Sequence, residues 1–130
     1  DISPKLINGC NERISFGWAR FQEGFKPRKT MPFSIMSGTY NLAATKDVFA
    51  WENYIFECLK KCWSKTSKAM VFNLQIADRA KVSENNIYFA EKNKIIETCV
   101  ALFGPTRVIF DKDLPNDATF SVINRNLVSG

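Results

Sequence analysis

PFSIMSGTYN, residues 32–41, is an apolar run that stops abruptly at small and polar residues. Phe33-Ser34-Ile35-Met36-Ser37 reads as a short strand, and Gly38 marks the turn that ends it. From Lys46 or Asp47 to about Lys65, Val48, Trp51, Ile55, Cys58, Leu59 and Cys62 recur at three- and four-residue steps, the stripe of an amphipathic helix. Asp47 near its start and Lys60, Lys61 and Lys65 near its end suit the helix dipole. AMVFNLQ, residues 69–75, is then a nearly continuous apolar run, as expected for a strand covered on both faces.

Working outward from this unit, DISPKLINGCNER carries a helix-start signature. Ser3 is placed to cap free N–H groups and Pro4 suits the first helical position, which predicts a helix from about Pro4 to Arg13. ISFGWARFQEGF alternates in part and predicts a short strand around Ala19–Gln22, and KPRKTMP is a polar loop. Residues 77–88, ADRAKVSENNIY, read as a loop. EKNKIIETCVALFG predicts a further helix with Ile95, Ile96, Cys99, Val100, Leu102 and Phe103 on its apolar side, ended by Gly104-Pro105. TRVIFDKDL and ATFSVINR predict two strands around a Pro-Asn-Asp turn at 115–117, close enough to pair as an antiparallel hairpin. Alternation of this kind predicts an α/β sheet with helices on its faces and an added antiparallel strand at the end.

The composition bounds the function. With 130 residues, 45% hydrophobic and 13% aromatic, the chain forms one compact domain, and eleven Phe and three Trp exclude disorder. The chain has no histidine, and its four cysteines, Cys10, Cys58, Cys62 and Cys99, form no CxxC, so no metal site is expected. Cys58 and Cys62, four residues apart, share a helix face and read as small core residues in a reducing, cytoplasmic setting, although four cysteines alone also allow two disulfides. No apolar stretch is long enough to cross a membrane and no signal peptide is visible. The net charge of +5 is compatible with an anionic partner, but the basic residues are scattered apart from Lys26-Pro27-Arg28-Lys29 and Lys60, Lys61, Lys65, Lys68, and read as a solvated face. Trp18 and Phe21 beside Arg20 offer stacking to nucleic acid, yet a packed strand accounts for them, so nucleic acid is not the expected partner.

Taken in order, these segments resemble the later part of a class I S-adenosylmethionine-dependent methyltransferase. DISP at 1–4 resembles the end of the family's second strand, PFSIMSGTYN its fourth strand and following loop, AMVFNLQ its fifth strand, and TRVIFDKDLPNDATFSVINR its terminal antiparallel pair. The resemblance spans nearly the whole chain. It implies a mostly parallel, Rossmann-like α/β sheet with a C-terminal antiparallel hairpin, in a single domain over residues 1–130 that lacks the family's first strand and glycine-rich loop, since no GxGxxG-like segment occurs. It also implies S-adenosylmethionine as cofactor and a small-molecule methyl acceptor. Asp1 would accept hydrogen bonds from the cofactor's ribose, and Glu23 would lie near the adenine, where the family usually has Gly-Asp and this chain reads Gln22-Glu23-Gly24. Ser37 and Gly38 would bring backbone to the methionine part, and Thr39, Tyr40 and Asn41 would line the acceptor pocket. No catalytic base is assigned: Glu52, Glu57, Asp78 and Glu84 read as surface charges, Asn73 as facing the acceptor side or as a hydrogen-bonded core residue, and Tyr88 and Phe89 as packing against the next helix.

In the family's sheet the first two strands lie between the third and the fourth. Without them the strand at 33–37 is left with an unpaired apolar edge, which is expected to be covered by homodimerisation across it or by residues 14–25. Two functions follow from the resemblance: a methyltransferase, truncated and inactive as this chain, or alternatively a non-catalytic interaction or dimerisation module derived from the fold.

Overall fold

The computed structural model describes residues 1–127. Helix α1 (Pro4–Arg13) starts where its sequence signature lies: Ser3 Oγ accepts the Leu6 N–H at 3.3 Å and Pro4 occupies the first turn. It has no buried residue. The strand expected at Ala19–Gln22 is absent, and residues 14–30 are neither helix nor strand. A strand needs a ladder partner for its N–H and C=O groups, and here a single rung forms. The Asp1 nitrogen donates to the Gln22 carbonyl at 3.2 Å, and the Gly24 N–H donates to the Asp1 carbonyl at 2.9 Å, the pattern of a parallel pair that sets Asp1 opposite Glu23. Phe16 and Trp18 are therefore exposed and stack on each other, ring centroids 5.4 Å apart, rather than packing in a strand.

Strand β1 (Met31–Met36), helix α2 (Val48–Trp63) and strand β2 (Thr66–Ala77) form the centre of the domain, with β1 and β2 parallel. Asp47 caps α2 by accepting the Ala50 N–H at 3.1 Å, Lys60 and Lys61 sit in its last turn, and Trp51, Ile55, Cys58, Leu59 and Cys62 are buried along one stripe.

The stretch expected as a loop at 77–88 contains strand β3 (Lys81–Val82) and the start of strand β4 (Tyr88–Glu91), paired antiparallel. The turn between them is built by Ser83 Oγ, which accepts the Ile87 N–H at 3.1 Å, and by Asn86, which takes the left-handed φ of 62° that asparagine tolerates. Helix α3 (Lys92–Leu102) follows directly and stops at Gly104, where a Cβ would lie 2.8 Å from the Ile123 carbonyl oxygen. Strands β5 (Thr106–Asp111) and β6 (Leu114–Ile123) form the terminal hairpin, followed by a 3₁₀ turn at Arg125–Leu127. The hairpin turn is Lys112-Asp113 rather than Pro115–Asp117. Asp111 Oδ1 accepts the Asp113 N–H at 2.9 Å and closes the chain earlier, so the returning strand begins at Leu114 and already includes Pro115 and Asn116.

The sheet order is β3-β4-β2-β6-β5, with β1 on the same edge of β2 as β4. The β1–β2 and β2–β4 pairings are parallel; β2–β6, β5–β6 and β3–β4 are antiparallel. The α/β class and the C-terminal antiparallel hairpin agree with the sequence reading, while the weight of pairing is antiparallel rather than mostly parallel because β6 runs antiparallel to both β2 and β5 along most of its length.

Both central helices lie on one face. Met70, Phe72 and Leu74 of β2 alternate inward with Ala118, Phe120 and Val122 of β6, and they share one cluster with Ile55 and Leu59 of α2 and Ile95 and Cys99 of α3. Phe72 and Phe120 sit opposite each other in register with ring centroids 5.3 Å apart. The other face of β2, carrying Ala69, Val71 and Asn73, is only half-buried, so this strand is not covered equally on its two sides. On β1 the same face shows Phe33 and Ile35 at 60% and 76% exposure, so residues 14–25 do not cover these side chains.

Burial also decides the thiols. All four cysteines are free; Cys58, Cys62 and Cys99 are buried, whereas Cys10 is half-buried. Burial pushes the Cys99 thiol up to about 12 and raises Cys62. Brief iodoacetamide treatment of the native protein at about pH 8 is expected to label Cys10 and spare the other three until the chain is unfolded, since only the thiolate reacts. Peptide mass spectrometry reads the pattern, and labelling of Cys99 at the rate of Cys10 would contradict the packing of α3.

Candidate functional site

In parallel sheets ligands gather at the carboxyl ends of the strands. For β1 that end is the Ser37–Asn41 turn. The apolar run stops here because the edge of β2 changes hands. β1 is in register with β2 as far as Met36 opposite Phe72, and β4 takes the same edge from Ile76. In between, the Gly38 N–H donates to Asn73 Oδ1 at 2.7 Å, and Asn73 Nδ2 donates to both carboxylate oxygens of Asp117 at 3.2 Å. Gly38 has φ 66°, which glycine takes at no steric cost, and a Cβ there would meet nothing within 4 Å.

Ser37, Gly38 and Thr39 are exposed. Tyr40 turns into the core: it is 4% exposed, its hydroxyl donates to Met36 Sδ at 3.4 Å, and its carbonyl accepts the Trp51 indole N–H at 3.2 Å. Burial pushes its hydroxyl well above the ordinary phenol range. The Asn41 carbonyl accepts the Tyr88 N–H at 2.9 Å, while its side-chain Oδ1 is shielded from solvent with no hydrogen-bond partner among the described residues. A buried acceptor left without a donor costs about 1–3 kcal/mol.

Asp1 and Glu23 face each other across the single rung, away from this turn. Glu23 is two residues before Phe25, whose ring lies 4.7 Å from Lys61 Nζ, in the last turn of α2, which leads to the amino end of β2. Asp1 Oδ1 accepts the Ser3 N–H at 2.8 Å and so serves the start of α1. The structure thus gathers Asp1 with Glu23, and Ser37, Gly38 and Thr39 with Asn73, as two separate sets among the described residues.

Two adjoining open clefts, about 630 and 440 Å³, lie at the carboxyl end of β2, lined in the first by Arg79, Lys81 and Phe89 and in the second by Glu91, Lys92 and Asn93. Phe89 contributes its face to a cleft, with Lys81 Nζ 5.2 Å from the ring centroid, whereas its neighbour Tyr88 is fully buried. Asp78 and Glu84 are exposed, and Glu57 is exposed with its carboxyl held below the ordinary value by its hydrogen bond to Lys60. Glu52 is not a surface charge. It is 4% exposed, accepting from the Tyr88 hydroxyl at 2.9 Å and from Lys94 Nζ at 2.6 Å. Its sequence position carried the signal: Glu52 lies three residues before Ile55 and seven before Leu59, inside the apolar stripe.

Among the described residues, no helix is long and apolar enough to cross a membrane. No family model matches the chain, and no curated protein matches it. A solved structure of DhpI in complex with SAH is similar to it with a TM-score of 0.60 at 11% identity, over 96% of this chain and 64% of that one. The chain therefore spans less than two thirds of that structure's length. At this identity the likeness is one of fold, and it agrees with the α/β class read from the sequence: a mixed sheet closed by an antiparallel hairpin.

Proposed function

We propose that this chain is the later part of an S-adenosylmethionine-dependent methyltransferase and that the Ser37–Asn41 turn faces the methionine part of the cofactor and the methyl acceptor. The observation that carries this reading is the exposed Ser37-Gly38-Thr39 turn at the carboxyl end of a parallel strand, in a fold similar to that of a structure holding SAH. The residues fit such a ligand at Gly38, where no side chain intervenes and the space beyond is open. The cofactor supplies an activated methyl, already a strong electrophile, so the protein's work is to hold the acceptor in line and exclude water. Tyr40, anchored in the core, gives the turn a rigid base for that task. Ser37 and Gly38 are proposed as the cofactor contacts and Thr39 and Asn41 as acceptor contacts, whereas Asp1 and Glu23, set away from this turn, are not part of the proposed site. The free cysteines favour a reducing, cytoplasmic setting.

Isothermal titration of the folded protein with S-adenosylhomocysteine tests the reading. Saturable heat is expected, and none from a folded sample overturns it. The edge of β1 favours a second reading, an interaction or dimerisation module: Met31, Phe33 and Ile35 are exposed along one edge strand, which invites pairing with a second copy. Sedimentation equilibrium decides it: a dimer mass supports pairing across β1, and a monomer at high concentration excludes it.

A further inference from the structure

Asn73 is a polar side chain that interrupts the apolar middle of β2, between Phe72 and Leu74, which are buried on the opposite face. Its two hydrogen-bonding ends are fixed by their partners. The Gly38 backbone is a donor, so the oxygen faces it; the Asp117 carboxylate accepts, so the amide nitrogen faces that. A carboxamide satisfies both at once. An aspartate here would meet Asp117 with like charge, and an apolar residue would leave the Gly38 N–H and the Asp117 carboxylate to water, untying the turn from β2.

The bond replaces something the backbone no longer provides. β1 has ended at Met36, β4 has not yet reached the edge, and the Gly38 N–H therefore takes a side-chain acceptor from the neighbouring strand. We infer that Asn73, oriented by Asp117, is a positioning residue that holds the Ser37–Asn41 turn in its ligand-facing conformation. The inference rests on the cofactor reading above in its ligand clause, and on geometry alone in its tether clause. It assigns to Asn73 and Asp117, on β2 and β6, a part in the site that neither plays by contact with the ligand.

The test measures Gly38 amide exchange by nuclear magnetic resonance and S-adenosylhomocysteine affinity by titration, on the same samples. In Asn73→Ala, Gly38 exchange is expected to speed up and affinity to fall by about tenfold each, the equivalent of one hydrogen bond at the upper end of its usual contribution. Asn73→Asp alone, which sets two carboxylates side by side, should do the same. The exchanged pair Asn73→Asp with Asp117→Asn keeps one acceptor for Gly38 and one amide donor between the strands, and should restore both readouts. Amide exchange at Phe72 and Leu74 reports that the sheet is intact in each variant.

Unchanged Gly38 exchange in Asn73→Ala overturns the tether. Faster exchange with unchanged affinity overturns the role in binding. Failure of the exchanged pair to restore either readout overturns the assignment of donor and acceptor. Absence of affinity in the unsubstituted protein overturns the cofactor reading and the ligand clause with it, while the exchange rates still decide the tether.

Discussion

Lys94→Ala is expected to lower stability by about 3 kcal/mol, the low end for a broken buried ion pair. Lys94 Nζ lies 2.6 Å from Glu52 Oε2, and the Glu52 side chain is 5% exposed against 50% for Lys94. Removing the lysine leaves a carboxylate in the core with the Tyr88 hydroxyl as its remaining partner in this group, and the half-exposure of the lysine keeps the cost from rising further. Replacing the whole group is expected to cost far less. Glu52→Leu, Lys94→Met and Tyr88→Phe together remove the charge, its counter-charge and the hydroxyl that needs an acceptor, and the loss is expected to stay within about 1 kcal/mol. Urea unfolding of the two variants checks the order. A triple variant less stable than Lys94→Ala would mean that the three groups earn a net stabilisation from one another beyond satisfying their own burial. The comparison bears on the site because Glu52, Tyr88 and Lys94 tie α2 to β4 and α3, and β4 flanks both the Ser37–Asn41 turn and the cleft at the end of β2.

What the sequence revealed and what it hid divide along physical lines. The α2 stripe, the Ser3 cap, the acidic start of α2 at Asp47 and the Gly104-Pro105 stop were legible because each depends on residues within a few positions of one another. β3 and β4 were not: a two-residue strand in a polar segment has no periodicity to read, and its pairing depends on the Ser83–Ile87 turn. The aromatic segment at 14–25 misled in the other direction. Its alternation matches a strand, but a strand also needs a neighbour along its length, and only the Asp1–Glu23 rung forms. At the site, the Ser37-Gly38-Thr39 end was visible as a change of composition. The tether to Asn73 was not, because residues 38, 73 and 117 are brought together by strand register alone. Tyr40 shows the same limit: a turn residue by sequence, it is a core residue by virtue of Trp51 and Met36.

Above pH 10 the protein is expected to lose stability at about 4 kcal/mol per pH unit, since each group that holds its proton only in the fold contributes about 1.4. Three groups carry the largest shifts of this kind. Burial raises the Tyr40 and Tyr88 hydroxyls above their ordinary value of 10.0, with Glu52 adding to the effect at Tyr88, and burial raises Cys99 from 9.0 to about 12. The sign follows from where each proton sits. Below pH 9 these groups are protonated in both states and their contribution is fully present; as pH climbs through the unfolded values, the unfolded chain releases protons that the fold retains, and unfolding is favoured. Because a domain's whole stability is about 5–15 kcal/mol, a loss of this size is enough to unfold the protein within a few pH units. Urea midpoints at pH 9, 10 and about 11 measure the slope, and a flat profile would mean that water reaches these groups. Tyr40→Phe is expected to remove about a third of it, one group's share of the linkage. That share is informative beyond stability: Tyr40 follows the exposed turn directly, so a normal alkaline titration of this one residue would show the turn detached from the core, and with it the rigid base on which a ligand-facing role depends.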